Sequence, residues 1–317
     1  MKRLFKRIIA AVMCGTMVLS LSACGEEKKP VGNIGDVSLM NGDVYAVIKI
    51  MDYGEITAKL FPEVAPASVA KFTELAERGF YDMKTIHRVI DNYAIQGGSL
   101  NGDGTDGEIP DADYIPLETS DYARHFYGAL CFAANSKGSF SQFCIVDNNK
   151  PQDIAGAIAS LEAQLSDEAI VSRLTDEDKA YYTEYLNKLK KIHAEVVEKY
   201  NSKGGLYYLD GTETVFGQVI DGYSVLEAIT ASEVVTGNAI DDERGISSKP
   251  IYSIVIETVE IIRIQPEETE KTTKATKKTT TTTTTQVVAE TLITTTAPET
   301  SSETTTQVPL NTLVSIG

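Results

Sequence analysis

The runs Ile86-His87-Arg88-Val89-Ile90 and Tyr93-Ala94-Ile95-Gln96-Gly97-Gly98 decide how this chain is interpreted. Both are short and contain β-branched or aromatic residues, and the second ends in two glycines, which is typical of strands joined by tight loops. Short segments of this kind continue to Phe143-Cys144-Ile145-Val146. The pattern predicts antiparallel strands rather than alternating strands and helices.

The residues before this stretch predict a β-hairpin and then a helix. Residues 44–50 and 55–60 have strand character, and Asp52-Tyr53-Gly54 between them is typical of a hairpin turn. Pro66 is predicted to open a helix that Gly79 closes. Apolar residues three and four apart form its buried face: Val69, Phe72, Leu75 and Ala76.

Between about residues 151 and 203 the apolar period becomes helical. Ile154, Ile158, Leu161 and Leu165 form one stripe, and a longer one runs from Tyr182 to Tyr200 behind a capping-box-like Thr175-Asp176-Glu177-Asp178. Strand-like sequence resumes at Leu206. A helical hairpin inserted between two strands is therefore expected.

Four stretches, in order, resemble the cyclophilin family. Residues 86–98 resemble its aromatic-His-Arg-Val-Ile and aromatic-Met-x-Gln-Gly-Gly runs, and residues 102–107 resemble its Gly-x-Gly-Thr-Gly-Gly loop. Residues 128–143 and 209–219 resemble its Gly-x-Leu-Ser-Met-Ala-Asn and Leu-Asp-Gly…Val-Phe-Gly-x-Val segments. The resemblance implies a mainly-β fold over residues 41–264, a closed eight-stranded antiparallel barrel capped by helices. It also implies a peptidyl-prolyl cis-trans isomerase.

This reaction needs a site that favours a twisted amide. Rotation about a peptide bond costs ~18–20 kcal/mol because the nitrogen lone pair is delocalised, and X–Pro bonds exchange only over tens to hundreds of seconds. No nucleophile, metal or titrating base is required, only preferential binding of the twisted state. A permanently charged arginine can donate a hydrogen bond to the nitrogen once its lone pair is recovered.

By resemblance, Arg88 and Gln96 are the expected catalytic residues. Gln96 and a group near Ala134-Asn135 would hold the substrate carbonyl and flanking peptide, and an apolar floor would hold the proline ring. The expected substrate-binding residues are Tyr93, Phe132, Ala133, Ala134, Asn135, Gln142, Cys144, Tyr208, Leu209 and Glu213. Proline-containing polypeptides are the expected partners, and no cofactor is expected.

The pocket residues depart from the family pattern at four positions: Ala94 replaces Met, Cys144 replaces Phe, Tyr208 replaces Trp and Glu213 replaces His. The segment from Ala133 to Gln142 is also one residue shorter than usual, so either Ala134 or Asn135 could take the backbone-binding role.

Three alternatives stay open from the sequence. Arg88 on a strand could simply pair with a carboxylate. The domain could be a catalytically weak module or chaperone that binds proline-containing chains at the cell surface. A solute-binding lipoprotein is a third reading, but the short antiparallel segments before residue 150 oppose its two α/β lobes.

Composition excludes several other classes. The 317 residues carry 29 Lys+Arg against 45 Asp+Glu, so sequence-independent binding of nucleic acid is not expected. Four cysteines are too few for a disulfide-stapled scaffold, and three scattered histidines predict no metal site. Cys131 and Cys144 are expected to be packed reduced thiols on neighbouring strands.

The first 23 residues are predicted to be a lipoprotein signal peptide. Lys2, Arg3, Lys6 and Arg7 precede a broken apolar stretch that ends in Leu21-Ser22-Ala23-Cys24, which resembles the bacterial lipobox. Cys24 is therefore the expected lipidation site, followed by a linker over 24–40. The alternatives are an ordinary cleaved signal or an uncleaved anchor. Loss of four basic residues leaves 25 against 45 acidic residues, a formal charge of −20, so acyl chains rather than charge would hold the protein at the membrane.

Residues 265–317 are predicted to be a disordered tail. They include 20 threonines, among them the run from Thr279 to Thr285, and no aromatic residue. Such a segment cannot bury enough apolar area to offset the entropy of ordering. The mature protein is expected to be monomeric, extracytoplasmic and lipid-anchored to the bacterial cell membrane.

Overall fold

The computed structural model describes residues 32–35, 37–106, 114–135 and 138–265. Its strands are β1 (Val44–Ile50), β2 (Gly54–Leu60), β3 (Thr85–Ile90), β4 (Ala94–Gly97), β5 (Ala129–Asn135), β6 (Gly138–Val146), β7 (Thr214–Asp221), β8 (Val234–Val235), β9 (Lys249–Pro250) and β10 (Ile254–Arg263). Its helices are α1 (Pro66–Glu77), α2 (Ile154–Ser166), α3 (Glu168–Val171), α4 (Asp176–Lys190), α5 (Ala194–Lys203), α6 (Tyr223–Thr230) and α7 (Ala239–Glu243). A 3₁₀ turn spans Tyr207–Leu209.

Eight strands close into an antiparallel barrel in the order β1-β10-β3-β4-β6-β5-β7-β2, and β8 and β9 form a separate two-stranded sheet. The predicted hairpin joins β1 to β2, and Asp52 adopts a left-handed φ of 64° in its turn. Closure leaves no unpaired edge in the barrel, which protects such a sheet against pairing with other chains. The predicted closed barrel is confirmed.

The barrel interior is filled by aromatic and branched side chains. Phe72 of α1 contacts Tyr81, Phe143 and Phe216 at ring-centroid distances of 5.2, 5.8 and 5.1 Å. Because β-strand side chains alternate between faces, every second residue of each strand reaches this core. The opposite faces remain available for a surface site.

Helix α1 begins at Pro66, as predicted, and packs its buried face on the barrel. Gly79 follows the helix with a φ of +68°. The Gly79 amide donates to the Ala76 carbonyl and the Phe80 amide to the Leu75 carbonyl, both at 2.9 Å, which forms a Schellman motif. The predicted closure by glycine is confirmed.

The insertion is helical, but it contains four helices, α2 to α5, rather than the expected hairpin. The predicted capping box at Thr175 is confirmed and opens α4. Asp167 caps the additional short helix α3, and the stripe predicted from Tyr182 to Tyr200 is divided between α4 and α5. The Tyr200 ring lies 4.5 Å from the Phe126 ring, which docks α5 on the barrel.

The folded domain begins earlier than residue 41. Asn33 is buried; its amide donates to the Arg124 carbonyl at 2.7 Å and to Gln218 at 2.9 Å. The described part of the expected 24–40 linker therefore includes a segment packed on the barrel.

Every helix in the described ranges is too short or too polar to cross a bilayer. The predicted signal peptide, Cys24 and nearly all of the predicted threonine-rich tail lie outside those ranges.

Candidate active site

Arg88 and Gln96 face each other across the β3–β4 pair. The register shifts between Ile86 and Arg88, and the Arg88 side chain is 15% exposed. Its Nη1 donates to Gln96 Oε1 at 3.4 Å. The two expected catalytic residues are therefore neighbours, because the tight turn after β3 brings them together.

Arg88 also binds a carboxylate that the sequence did not suggest. Its Nε donates to Asp241 Oδ2 at 2.6 Å and its Nη2 to Asp241 Oδ1 at 2.8 Å. Asp241 lies on α7, its side chain is fully buried, and Ser248 Oγ donates to its Oδ2 at 2.5 Å. Burial opposes the charge on Arg88, but the hydrogen bonds and charge of Asp241 raise the Arg88 pKa. The arginine is therefore held as a cation in a fixed plane.

Tyr93 supports the guanidinium from one side. The Arg88 Cζ lies 5.2 Å from the Tyr93 ring centroid, within the range of a cation–π contact. Burial, followed by the charges of Glu213 and Cys144, raises the Tyr93 pKa. The phenol therefore stays neutral and acts as a ring surface and hydrogen-bond group.

A polar relay extends from Gln96 away from Arg88. Gln96 Nε2 donates to Gln142 Oε1 at 2.8 Å, and Gln142 Nε2 donates to Asp106 Oδ2 at 3.0 Å. Burial raises the Asp106 pKa, but hydrogen bonds from the Asn101 and Leu100 amides and from Ser99 outweigh it and lower the pKa overall. The carboxylate fixes Gln142, and Gln142 in turn orients the Gln96 amide.

Tyr93, which contacts Arg88, belongs to an apolar wall, defined by Tyr93, Ala133, Cys144, Tyr208 and Leu209. These residues pack in one cluster, separate from the barrel interior. Tyr93, Ala133 and Tyr208 are partly exposed, whereas Cys144 and Leu209 are buried behind them. Burial, with the charges of Tyr207 and Glu213, raises the Tyr208 pKa to about 12. The wall and the relay together form a surface with an apolar part and a cationic part.

Phe132 is the exception among the expected substrate-binding residues. It is fully buried in the barrel interior and stacks on Phe216 at 4.5 Å. The two flanking β5 residues, Cys131 and Ala133, point toward the wall because side chains alternate along a strand. The structure therefore assigns Phe132 to the core, not to the proline-binding floor.

The remaining expected residues lie at the margins of the site. Ala134 and Asn135 end β5, where their backbones pair with Ser139 and Gly138 of β6. Glu213 precedes β7 and is half-buried; its charge raises the pKa of both Tyr93 and Tyr208, which places it beside the wall. Cys131 and Cys144 are opposite each other in the β5–β6 register and are free thiols, as predicted.

The fold and site together define a closed β-barrel protein that presents a fixed cation next to an apolar wall. Residues 45–261 match the family model described as "Cyclophilin type peptidyl-prolyl cis-trans isomerase/CLD". A Staphylococcus epidermidis protein named "Putative peptidyl-prolyl cis-trans isomerase" is 32% identical over 216 residues, covering 68% of this chain and 90% of the relative. A Staphylococcus aureus protein of the same name is 33% identical over 219 residues, with the same coverage of both chains.

A crystal structure of a Cryptosporidium parvum cyclophilin-type isomerase is similar at 20% identity with a TM-score of 0.46, over 69% of this chain and 98% of that chain. The family match and the curated relatives establish that this chain belongs to the cyclophilin-type peptidyl-prolyl cis-trans isomerases. It is an enzyme of that class.

Proposed function

We propose that the chain isomerises X–Pro bonds in extracytoplasmic polypeptides and that Arg88 stabilises the twisted amide. The observation that carries this proposal is the side-on pairing of Arg88 with Asp241, through Nε and Nη2. Within the described residues, hydrogen bonds to Asp241 and Gln96 use three of the five guanidinium N–H groups. Two N–H groups are left to donate to a substrate, on a cation whose plane is already fixed.

The geometry supports a division of roles among the site residues. The proline ring packs on the apolar wall, the Gln96 amide binds the flanking peptide, and Arg88 donates to the prolyl nitrogen when rotation restores its lone pair. A charge-assisted hydrogen bond of about 1.5–3 kcal/mol formed mainly in the transition state accelerates the reaction roughly 10- to 100-fold. No covalent step or proton transfer is involved.

The test is a coupled assay on a short Ala-Pro peptide with wild type, Arg88→Ala and Arg88→Lys. We expect kcat/KM to fall about 10- to 100-fold in Arg88→Ala and to be only partly restored by lysine, which lacks the planar fork. Arg78→Ala is the matched control, because Arg78 is a 71% exposed cation paired with Glu74. Equal kcat/KM for wild type and Arg88→Ala would refute the mechanism and favour a peptide-binding module.

The proposed location depends on Cys24. The lipobox-like residues before it support cleavage and acylation, and the mature acidic surface requires acyl chains for stable attachment. We expect a modified Cys24 as the N-terminus of membrane-extracted protein by mass spectrometry. Cys24→Ser should move the protein out of the membrane fraction, whereas Cys14→Ser should not; an unmodified or different N-terminus contradicts the anchor.

The working unit is proposed to be a single chain. The site is built from residues of one copy, from β3 to α7, and the relay and the wall need no second chain to complete them. Light scattering of purified protein should give the mass of one chain, and a stable dimer would contradict this part of the proposal.

A further inference from the structure

Behind the apolar wall, three metal-ligating side chains from distant parts of the sequence meet. A ring nitrogen of His125, the Cys131 sulfur and a Glu213 carboxylate oxygen lie within 4.8 Å of one another. His125 and Cys131 are buried and Glu213 is half-buried, so the cluster opens only on the Glu213 side. Imidazole, thiolate and carboxylate are the donors that bind Zn²⁺ in proteins.

The two ring nitrogens of His125 differ in their surroundings. Nδ1 lies 3.0 Å from Asp210 Oδ1, whereas Nε2 is buried with no hydrogen-bond partner within the described residues. A buried polar atom without a partner is costly, and native structures rarely leave one unused. Donation from Nδ1–H to the carboxylate places the lone pair on Nε2, the form that ligates a metal.

Asp210 is itself held firmly. It accepts hydrogen bonds from the His125 amide at 3.0 Å and from Tyr200 Oη at 2.8 Å. Arg124 Nη1 adds a third contact at 3.4 Å. A fixed carboxylate on the far nitrogen of a histidine is the usual outer-shell arrangement of metal-binding histidines.

Metal binding at this cluster requires deprotonated ligands. The Cys131 and Glu213 protons leave to solvent when the cation binds, because thiolate and carboxylate are the ligating forms.

We propose that His125 Nε2, Cys131 Sγ and Glu213 form a site for Zn²⁺ or a similar borderline-soft divalent cation, with one coordination position open on the Glu213 side. Metal–ligand bonds of about 2.0–2.3 Å require donor atoms roughly 3.5 Å apart, so the three side chains must close inward by up to about an ångström. Cys131 also donates weakly to the Cys144 carbonyl at 3.7 Å, and that contact is exchanged for the metal. This site is additional to the isomerase chemistry, which uses Arg88.

The test is Co²⁺ titration of the reduced full chain, followed by displacement with Zn²⁺. We expect one equivalent of Co²⁺ to bind with tetrahedral visible bands and a thiolate-to-cobalt charge-transfer band, both abolished by Zn²⁺. Loss of an outer-shell partner lowers metal affinity about 10- to 100-fold. Loss of a direct ligand in Cys131→Ser or Glu213→Gln should therefore lower the Co²⁺ affinity by at least as much. Cys131→Ser should also abolish the charge-transfer band.

Three controls separate this site from other donors in the chain. Cys144→Ser removes the neighbouring buried thiol, Cys14→Ser/Cys24→Ser removes the two N-terminal thiols, and His193→Ala removes an exposed histidine. Each should retain both the affinity and the band. Absence of saturable binding in wild type, or a band that survives Cys131→Ser, would overturn the proposal. If Cys131→Ser does not fold, the loss of Co²⁺ affinity in Glu213→Gln, at the partly exposed margin, still decides the proposal.

Discussion

Asp241 binds Arg88 through two hydrogen bonds of 2.6 and 2.8 Å although the two residues are 153 positions apart in sequence. A bidentate carboxylate fixes both the position and the plane of a guanidinium. The arginine is therefore paired with a carboxylate and at the same time presented to the apolar wall. The two sequence-based interpretations of Arg88, as an ion-pair partner and as a catalytic residue, are thus compatible.

Asp241→Asn should lower both activity and stability. The variant keeps the shape but loses the charge that balances a mostly buried cation, so we expect about 1–3 kcal/mol lower free energy of unfolding in urea. We expect kcat/KM to fall roughly tenfold as the guanidinium loses its fixed plane. Glu243→Gln, an exposed acid on the same helix, should stay within about 0.5 kcal/mol of wild type.

The double variant Arg88→Ala/Asp241→Asn separates positioning from general stability. If Asp241 acts through Arg88, the double variant should have the same kcat/KM as Arg88→Ala alone, because the two effects are not independent. A further, additive loss of kcat/KM would show that Asp241 does not act through the arginine.

The effect of Asp241 on stability should depend on pH in the acid range. Burial opposes ionisation, but hydrogen bonds from Arg88 and Ser248 outweigh it and lower the Asp241 pKa. The stabilisation is therefore complete above the unfolded-state pKa of about 3.9 and is lost as the pH falls through the lower folded-state pKa. The stability difference between wild type and Asp241→Asn should be constant from about pH 5 to 7 and shrink below about pH 4.

Asp147 should have the opposite pH dependence. Burial and the charges of Asp91 and Glu227 raise its pKa to about 6, against a hydrogen bond from Thr230. The folded state binds the proton more tightly, so Asp147 favours folding at low pH and disfavours it above about pH 6. Asp147→Asn should therefore stabilise the protein by about 1–3 kcal/mol at pH 8 and have little effect at pH 4.

Urea denaturation at the two pH values measures this difference. Glu63→Gln, at an exposed position, is the control and should match wild type within about 0.5 kcal/mol at both. An equal effect of Asp147→Asn at pH 4 and pH 8 would contradict a raised pKa.

Tyr200→Phe tests how the insertion is attached to the barrel. Tyr200 is fully buried, and its hydroxyl donates to Asp210 at 2.8 Å. Losing a hydrogen bond to a charged group should cost about 1.5–3 kcal/mol, measured by urea denaturation. Tyr181→Phe on α4, where the residue is 56% exposed, should change stability by less than about 0.5 kcal/mol. Equal effects of the two variants would show that the Asp210 contact contributes nothing.

Gln96→Leu tests the relay. The substitution removes the hydrogen bond to Gln142 and the acceptor for Arg88 while keeping the volume similar. We expect kcat/KM on an Ala-Pro peptide to fall roughly tenfold, in line with the loss of one or two hydrogen bonds made to the bound peptide. Gln164→Leu, at a half-buried position of α2, is the control. Unchanged kcat/KM in Gln96→Leu would remove Gln96 from the site.

The sequence predicted the elements whose signals are local. The β1–β2 hairpin, the start of α1 at Pro66 and the Gly79 closure were confirmed because turns and caps depend on neighbouring residues. The structure shows a related local effect at Arg88 and Gln96, which face each other because one short turn separates β3 from β4. The insertion was less predictable. The capping box at Thr175 was expected, but the Asp167 cap adds α3, and the second apolar stripe is divided between α4 and α5.

The prediction that Phe132 binds substrate was wrong, although the alternation of side chains along β5 was visible in the sequence. The resemblance supplied the residue, but the two-residue period of β5 puts Cys131 and Ala133 on one face and Phe132 on the other. The alternation does not say which face of β5 points into the barrel. That is decided by the pairing of β5 with strands that are distant in sequence.

By itself the sequence indicated short antiparallel strands, and its resemblance to the cyclophilins implied the closed barrel and the roles expected of Arg88 and Gln96. Only the tertiary structure decided that Asp241 fixes that arginine, that Phe132 belongs to the core, and that His125, Cys131 and Glu213 meet behind the wall. The physical reason is that side-chain partners from distant segments are chosen by how the closed barrel packs, and no local pattern in the chain records that choice.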